Sequence, residues 1–358
     1  MGRVADVTAL DLTQDVVALT AALVDLPSES LHEAEIADAV EAALRALPHL
    51  QVVRDGHSII ARTELGRSER IVLAGHLDTV PENGNLPARF EGDTLWGLGT
   101  CDMKGGVAVM LALAARLPEP NRDLTFVFYE AEEIAAVHNG LGRIAREHPE
   151  WLAGDFAIVL EPSNAGIEAG CQGTIRIDVT TRGERAHAAR SWKGSNAIHA
   201  IAPALARLES YVPRRVVIDG LEYREGVNAV GIRGGVAGNV IPDEAVLTVN
   251  FRFAPDRSED EAIAHVRELF EGFEVTVTDQ APGALPGLNE PAAAAFVRVV
   301  GKPVYPKFGW TDVAKFSILG IPAVNFGPGD PSFAHKADEH VPVQHIRDSL
   351  DALERWLS

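Results

Sequence analysis

The sequence has few cysteines, few basic residues and no long apolar run, and each shortage excludes a class of protein. Two cysteines among 358 residues, Cys101 and Cys171, give no disulfide framework, and neither lies in the spacing of a zinc finger. No run of about 18 apolar residues is present, which excludes a transmembrane helix. Lys and Arg number 32 against 51 Asp and Glu, so the net charge is −19 and a nucleic-acid partner is not expected.

The same shortages predict a protein of the cytoplasm. The N-terminal segment MGRVADVTALDLTQD carries acidic residues where an export signal needs an apolar stretch. Unpaired cysteines suit a reducing compartment. We therefore expect no membrane partner. A content of 46% hydrophobic and 23% charged residues is an ordinary globular balance, and it allows one large domain or two smaller ones.

Helical and strand-like segments alternate in the first half of the chain. Apolar residues recur at helical spacing over 15–26 and 34–47, and Ser30 with Glu33 predicts a capping box before the second helix. The short apolar runs RIVLAGHLD, DLTFVFY and DFAIVLEPS indicate buried strands, and KGGVAVMLALAARL indicates a helix. This alternation predicts an α/β fold with a mostly parallel sheet covered on both faces.

The pattern changes near residue 174, which predicts a second domain. Two alternating strands, TIRIDVTTRG and EAVLTVNFRF, accompany two helical stretches, SNAIHAIAPALARLESY and SEDEAIAHVRELFEGF. They suggest an α+β layer of about 100 residues. AAAAFVRVV and IPAVNFG then return to the first pattern. We predict a discontinuous catalytic domain over 1–173 and 282–358, with an inserted α+β domain over 174–281.

Histidines and carboxylates stand where the predicted strands end. His76 and Asp78 close the first run, and side chains two apart in a strand face the same side. Glu132 and Glu133 follow the second run directly, and Glu161 follows the third. Because the carboxyl ends of parallel strands meet along one edge of a sheet, we expect these side chains in one crevice.

Two more potential donors come from other segments. Asp102 follows the glycine-rich turn GLGTC and precedes a predicted helix, and His335 comes after IPAVNFG. Imidazoles and carboxylates without thiolates suit a catalytic zinc site. Asp78 could hold the second ring nitrogen of His76. For this pair alone, a solvated histidine at a capped strand end is an equal alternative.

Five motifs taken in order, GHLDTVP, GLGTCDMKGG, EAEE, LEPS and AHKADE, resemble those of one enzyme family. It is the family of dinuclear zinc amidohydrolases that contains aminoacylases, carboxypeptidases and succinyl-diaminopimelate desuccinylases. The similarity runs over nearly the whole chain. KFGWTDVAKF and VNFGPGDPSFAHKADEHV are most similar to the actinobacterial type of desuccinylase. One departure is Ala131 in EAEE, where the family more often has an acid.

The resemblance implies two zinc ions per subunit, for which cobalt can substitute. Asp102 would bridge the two ions. His76 and Glu161 would complete one site, and Glu133 and His335 would complete the other. The resemblance also implies a cis peptide bond directly after Asp102.

The resemblance also implies roles for residues that do not bind metal. Glu132 would be the general base, with Asp78 beside it in the catalytic machinery. His187 of the inserted domain would reach the active site of the neighbouring subunit and stabilise the oxyanion. The enzyme would then be a homodimer that pairs through its inserted domains, and the inserted domain would serve as lid and dimerisation domain.

Substrate contacts are implied for four residues. Arg252 and Asn239 are the first candidates for the substrate carboxylate, and Arg190 and Thr311 are weaker ones. Arg252 suits the task physically because its planar guanidinium can bind a carboxylate through two parallel hydrogen bonds.

The leading functional hypothesis is hydrolysis of N-succinyl-LL-2,6-diaminopimelate to succinate and LL-2,6-diaminopimelate, in lysine and diaminopimelate biosynthesis. A related N-acyl-amino-acid amidohydrolase, such as an acetylornithine deacetylase or a carboxypeptidase-like enzyme, remains open because it would share the metal centre. A non-catalytic family member is disfavoured because every predicted ligand and the base are present. A serine hydrolase is disfavoured because the sequence contains no GxSxG.

Overall fold

The computed structural model of the chain describes residues 9–358 and divides into two compact units. Unit 1 runs to Ala169 and includes Pro286–Tyr305 and Lys315–Ser358, and unit 2 comprises Gly170–Leu285 and Pro306–Ala314. The predicted boundaries lie close to two of these breaks, but Pro306–Ala314 packs with unit 2. Catalytic and lid roles for the two units stay predictions. Residues 1–8 of the segment MGRVADVTALDLTQD, from which we expect no export signal, lie outside the described residues.

The secondary structure alternates along the chain. The helices are α1 (Val16–Val24), α2 (Ala34–Arg45), α3 (Lys104–Arg116), α4 (Gly140–Glu147), α5 (Ala197–Ala200), α6 (Ala202–Glu209), α7 (Glu259–Leu269), α8 (Pro291–Val300), α9 (Val313–Ile318) and α10 (Val343–Leu357). The strands are β1 (Gln51–Asp55), β2 (Ser58–Arg62), β3 (Arg70–His76), β4 (Arg89–Glu91), β5 (Thr94–Trp96), β6 (Asp123–Tyr129), β7 (Phe156–Val159), β8 (Ile167–Ala169), β9 (Gly173–Arg182), β10 (Ala186–His187), β11 (Arg215–Ile218), β12 (Leu221–Arg224), β13 (Gly226–Gly234), β14 (Val240–Ile241), β15 (Glu244–Phe253), β16 (Glu274–Ala281), β17 (Val304–Pro306), β18 (Ala323–Asn325) and β19 (His340–Pro342).

An eight-stranded sheet forms the centre of unit 1, in the order β1-β2-β6-β3-β7-β18-β8-β17. Its four middle strands, β6, β3, β7 and β18, pair in parallel. The pairs β1–β2, β2–β6 and β18–β8 are antiparallel. Helix α3 is buried nearly all round and packs on β3 and on helices α1 and α10. The α/β fold class is confirmed, with antiparallel strands added outside its parallel centre.

Unit 2 contains a four-stranded antiparallel sheet in the order β13-β15-β9-β16. Strand β15 alternates as predicted: Val249, Phe251 and Phe253 enter an apolar core with residues of α5, α6 and α7. The helix predicted over 195–211 is divided at Ile201. Pro203 explains the division, because it has no N–H group to continue the hydrogen-bond ladder of α5.

The capping box predicted from Ser30 and Glu33 is wrong. Helix α2 begins at Ala34, and the side chain of its N-cap residue, Glu33, makes no hydrogen bond to its first turn. The Ser30 hydroxyl instead donates to Asp78 Oδ2 at 2.7 Å, and Glu33 Oε1 accepts a hydrogen bond from the main-chain nitrogen of Ala131 at 3.2 Å. Ser30 and Glu33 therefore form hydrogen bonds with the segments that follow β3 and β6, and not with the first turn of α2.

Both cysteines are free, as expected from the lack of a disulfide framework, and the structure buries both. The Sγ atom of Cys101 lies 3.1 Å from the carbonyl oxygen of Asp330 and donates a hydrogen bond to it. Within residues 9–358, every helix is too short or too polar to cross a bilayer.

Candidate metal centre

Three parallel strands of unit 1 deliver polar side chains to one edge of the sheet. His76 is the last residue of β3, and its side chain is fully buried. The register pairs His76 with Tyr129, the last residue of β6, so Glu132 and Glu133 follow at the same edge. Glu161 comes just after β7, which pairs in parallel with β3. The clustering of these side chains, predicted from the strand ends, thus follows from the parallel register.

Asp102 lies between two histidines. Its Oδ1 atom is 3.1 Å from His76 Nε2, and its Oδ2 atom is 3.3 Å from His335 Nε2. Asp102 stands two residues before α3, and the peptide bond to Met103 is cis, as expected. His335 follows β18 and a short 3₁₀ turn at Pro331–Phe333. One carboxylate therefore contacts imidazoles from two distant parts of the sequence.

Two groups of three potential metal donors share Asp102. Donor atoms of His76, Asp102 and Glu161 lie within 4.8 Å of one another, and so do those of Asp102, Glu133 and His335. These groups have the same members as the two predicted ligand sets. Their role as ligands stays a prediction.

The carboxylates of this cluster favour positive charge beside them. Hydrogen bonds to Asp102 and Glu133 raise the pKa of His335 to about 10. Burial would lower the pKa of His76, but hydrogen bonds to Asp102 and Asp78 outweigh it and raise that pKa well above its usual range. Burial likewise would raise the pKa of Asp102, yet the two imidazoles lower it. Cations fit this cluster electrostatically, and its imidazole and carboxylate donors suit zinc.

Asp78 holds the segment that carries Glu132. Its Oδ1 atom accepts a hydrogen bond from the main-chain nitrogen of Glu132 at 3.0 Å, and its Oδ2 atom accepts one from that of Glu133 at 3.1 Å. His76 Nδ1 is 3.0 Å from the carbonyl oxygen of Asp78 and 3.5 Å from its carboxylate. Asp78 thus contacts His76, as anticipated, but its carboxylate is closer to the glutamate segment. Donor atoms of His76, Glu132 and Glu133 also lie within 4.8 Å of one another.

Glu339 is a buried carboxylate for which the sequence predicted no role. It accepts hydrogen bonds from three main-chain nitrogens of the turn before α3, those of Gly99, Cys101 and Asp102, at 3.1, 2.9 and 3.0 Å. The side chain therefore fixes the turn that presents Asp102. Its place in the motif AHKADE, four residues after His335, was a signal for this role.

The other predicted site residues lie in unit 2. His187 on β10 pairs with Val240 of β14, and the carbonyl oxygen of Asn239 accepts a hydrogen bond from the nitrogen of Ala188. The structure thus places Asn239, directly before β14, next to the strand that carries His187, and both residues are exposed. Arg190 is exposed in the 3₁₀ turn that follows His187.

Arg252 and Thr311 occupy different surroundings in unit 2. Arg252 is half-buried and lines a cavity of about 470 Å³. Thr311 is buried, and its Oγ1 atom has no hydrogen-bond partner among residues 9–358. Roles in substrate binding stay predictions for these residues and for His187, Asn239 and Arg190.

Comparisons with known proteins agree with the motifs. The family model described as "Peptidase family M20/M25/M40" matches residues 72–358. A Mycobacterium tuberculosis protein with the provisional name succinyl-diaminopimelate desuccinylase is 58% identical over 351 residues, which cover 97% of this chain and 99% of that protein. A Corynebacterium glutamicum protein named succinyl-diaminopimelate desuccinylase is 51% identical over 360 residues, 98% of each chain.

The fold is also shared with solved structures. A tripeptidase from Staphylococcus aureus superposes with a TM-score of 0.80 at 22% identity, over 97% of this chain and 98% of that one. At that identity the likeness concerns the fold alone. The family model and the two relatives confirm the resemblance drawn from the five motifs. The chain therefore belongs to peptidase family M20/M25/M40.

Proposed function

We propose that this chain is a metal-dependent amide hydrolase that cleaves N-succinyl-LL-2,6-diaminopimelate to succinate and LL-2,6-diaminopimelate. The reaction belongs to lysine and diaminopimelate biosynthesis. The observation that carries the proposal is the pair of donor groups sharing Asp102, with Glu132 beside them. The names of the two bacterial relatives, at 58% and 51% identity over almost the full chain, support this substrate over other acyl amino acids.

The proposed cofactor is a pair of zinc ions, with cobalt as a substitute. His76, Asp102 and Glu161 would hold one ion, and Asp102, Glu133 and His335 would hold the other. Bound cations of this kind polarise a carbonyl group and make water more acidic. The donor set supports the assignment because Asp102 and Glu161 have oxygen atoms within 4.8 Å of His76, and Asp102 and Glu133 have oxygen atoms within 4.8 Å of His335. These carboxylates favour positive charge beside the imidazoles.

Glu132 is the proposed general base. Its main chain is fixed by the Asp78 carboxylate, so its side chain is presented beside His76 and Glu133. The Glu132 carboxylate accepts a proton from the attacking water as the new C–O bond forms. It then delivers that proton to the departing amine nitrogen as the amide C–N bond breaks, and one water is consumed.

We propose His187 as the oxyanion donor and a homodimer as the active form. His187 is exposed, as it must be to reach a neighbouring subunit. Strand β13 is an edge of the unit 2 sheet, and its side chains Val230 and Ile232 are 59% and 58% exposed. An apolar, unprotected edge strand is suited to pairing with a second copy.

Substrate carboxylates are assigned to Arg252 and Asn239, with Arg190 and Thr311 as further contacts. The half-buried guanidinium of Arg252 lines a cavity and supports the first assignment. We also propose a cytoplasmic location, because both cysteines are free.

The test is a comparison of substrates with zinc-reconstituted protein. Initial rates are measured on N-succinyl-LL-diaminopimelate, N-acetylornithine and an N-acylglutamate at equal metal content. We expect kcat/KM for the succinylated compound to exceed that for each of the other two by at least about 100-fold. A compound whose charged groups miss two of their contacts with the protein loses a binding free energy that corresponds to a factor of this order.

Other outcomes separate the parts of the proposal. Turnover of only N-acetylornithine or the acylglutamate would retain the hydrolytic centre and discard the substrate. Failure to hydrolyse any of the three, with two zinc ions bound, would discard the enzymatic function and favour a non-catalytic member of the family.

A further inference from the structure

The polar face of the unit 2 sheet ends in a cavity with two arginines. In β15, Asn250 and Arg252 alternate with the buried Phe251 and so face away from the apolar core. Arg252 pairs with Gly226 of β13, whose missing side chain leaves space opposite the guanidinium. The cavity of about 470 Å³ is lined by Gln172, Arg224, Gly226, Asn228, Arg252 and Phe308. This size suits an end group of a small molecule.

Among the described residues, Arg252 has no acidic partner. It makes no ion pair or hydrogen bond with any side chain in residues 9–358, whereas Arg176 and Arg233 on the same sheet pair with Asp279 and Asp178. Burial, followed by repulsion from Arg176, lowers its pKa. In a chain with a net charge of −19, an unpaired and half-buried guanidinium is unusual. Pairing with a bound anion would offset the cost of its burial.

Arg224 is the second cation of this cavity, and its main chain is fixed from two sides. The Nε2 atom of the buried Gln172 donates to the carbonyl oxygen of Arg224 at 2.8 Å. The next residue, Glu225, has a fully buried carboxylate that accepts hydrogen bonds from Arg214 and Arg257 at 2.8 and 2.9 Å. The fixed backbone presents an exposed side chain to the cavity, which lowers the ordering cost of binding a ligand.

The guanidinium of Arg224 retains free donors. Its Nε atom donates to Glu222 at 2.7 Å, and neither of its Nη atoms donates a hydrogen bond within residues 9–358. The side chains that line the cavity therefore contribute two positive charges and no negative one. Phe308, which is 48% exposed, adds an apolar surface for an aliphatic arm.

We propose that Arg224 is a specificity-determining residue that acts with Arg252 to bind a substrate carboxylate remote from the scissile amide, while Phe308 contacts the aliphatic arm. This inference rests on the proposed desuccinylase function and adds to it the residue that distinguishes substrates with a terminal carboxylate. The ligand class is an aliphatic carboxylate, which both ends of N-succinyl-LL-diaminopimelate provide.

The test compares Arg224→Gln with a matched control, Arg215→Gln. Arg215 is an exposed arginine that pairs with Arg224 across the β11–β12 hairpin and also lies near Glu222, but it does not line the cavity. Initial rates are measured on N-succinyl-LL-diaminopimelate, on N-acetyl-LL-diaminopimelate, which lacks the acyl carboxylate, and on Nα-succinyl-L-lysine, which lacks the distal carboxylate.

We expect Arg224→Gln to lower kcat/KM on the full substrate by about 10- to 100-fold, mainly through KM, since a charge-assisted contact is lost. Arg215→Gln should stay within about twofold. The loss should disappear on the one analogue that lacks the carboxylate held by Arg224. An equal loss on all three compounds, or a loss no larger than that of the control, overturns the proposal.

A binding measurement keeps this result separate from the proposed activity. Titration calorimetry of the zinc-loaded wild type and both variants is carried out with succinate and with LL-diaminopimelate. The carboxylate site is supported if Arg224→Gln binds succinate or LL-diaminopimelate at least tenfold more weakly than the wild type does, while Arg215→Gln does not. This holds even if turnover of the succinylated substrate is absent. Unchanged affinity in Arg224→Gln, or no binding to the wild type, overturns it.

Discussion

The Oδ1 atom of Asp78 accepts a hydrogen bond from the main-chain nitrogen of Glu132 at 3.0 Å. Its Oδ2 atom accepts one from Glu133 and one from the Ser30 hydroxyl, at 3.1 and 2.7 Å. Asp78 is fully buried, so each oxygen is satisfied by the protein. The residue after β3 thus determines how the two glutamates after β6 are presented. Orientation of this kind is a role distinct from metal binding.

Replacing Asp78 by Asn should lower activity without removing the metal donors. An amide nitrogen would face a main-chain N–H group, so one of the two hydrogen bonds to the glutamate segment is lost. We expect kcat to fall by about 10- to 100-fold. Steady-state kinetics and zinc content measure the effect, with Ser30→Ala as a control that removes only one hydrogen bond to Asp78. Equal decreases of kcat in Asp78→Asn and Ser30→Ala would argue against a role of Asp78 in orienting the glutamate segment.

Replacing Glu132 by Gln should separate catalysis from metal binding. The amide cannot accept a proton, so we expect kcat to fall by about 10²- to 10⁴-fold while two zinc ions remain bound. Glu133→Gln is the matched comparison, because it should reduce zinc content as well as rate. Metal analysis of dialysed protein and initial rates test both variants. A Glu132→Gln protein with zinc fully bound and near-normal turnover would remove Glu132 from the role of base.

The positions of the potential donors were predictable, but most of their support was not. Parallel strands bring their carboxyl ends to one edge, so the clustering of His76, Glu133 and Glu161 follows from strand order. Ser30 and Asp78, in contrast, are 48 residues apart, and no local spacing indicates their hydrogen bond. Local spacing instead suggested a capping box, which the longer-range contacts of Ser30 replace.

A similar limit applies to the boundaries of the two units. The change of pattern near residue 174 is local and could be predicted, because alternating strands replace buried ones. The segment Pro306–Ala314 is different, since it packs with unit 2 while the sequence on both sides belongs to unit 1. No periodicity marks that segment, and its placement depends on tertiary contacts, such as the hydrogen bond from the nitrogen of Gln172 to the carbonyl oxygen of Lys307.

A charge on the β13 edge should disrupt the proposed dimer. Ile232 is 58% exposed on this edge strand, and Ile232→Lys would place an ammonium group in an apolar contact. We expect a monomer by light scattering and a parallel loss of activity, because His187 would then be missing from the partner's site. Val217→Lys, on the exposed strand β11, is the control and should leave mass and rate unchanged. A fully active monomer would exclude the shared site.

The two thiols should be unreactive in the native protein. Cys101 and Cys171 are both fully buried, and burial raises the pKa of the Cys171 thiol to about 11. A buried thiol that is not ionised near neutral pH is a poor nucleophile. We expect no reaction with an aromatic disulfide reagent at pH 7.5 over minutes, and two thiols per chain in guanidinium chloride. Rapid native reaction of either cysteine would show that its surroundings open readily.

Asp123 should make stability depend on pH in the acidic range. This buried carboxylate accepts hydrogen bonds from the Thr63 hydroxyl and from the nitrogens of Leu65 and Arg67, at 2.9, 2.8 and 2.8 Å. Burial would raise its pKa, but these hydrogen bonds outweigh it, so the pKa lies below the ordinary 3.8. The unfolded chain then binds a proton more readily than the folded one. The stabilisation is complete above the unfolded pKa and is lost as pH falls through the folded pKa.

Replacing Asp123 by Asn should therefore reduce the free energy of unfolding at pH 7 by about 2 kcal/mol, because the charged acceptor of three hydrogen bonds is lost. The difference in the free energy of unfolding between this variant and the wild type should become smaller once the pH falls below 3.8. This difference is measured by urea unfolding between pH 3 and pH 7. EDTA is present so that the release of bound cations does not contribute. Asp351→Asn, at an exposed position of α10, is the control and should have little effect at any pH. A difference that stays constant from pH 7 to pH 3 would mean that the Asp123 side chain stabilises the fold by packing, not by its charge.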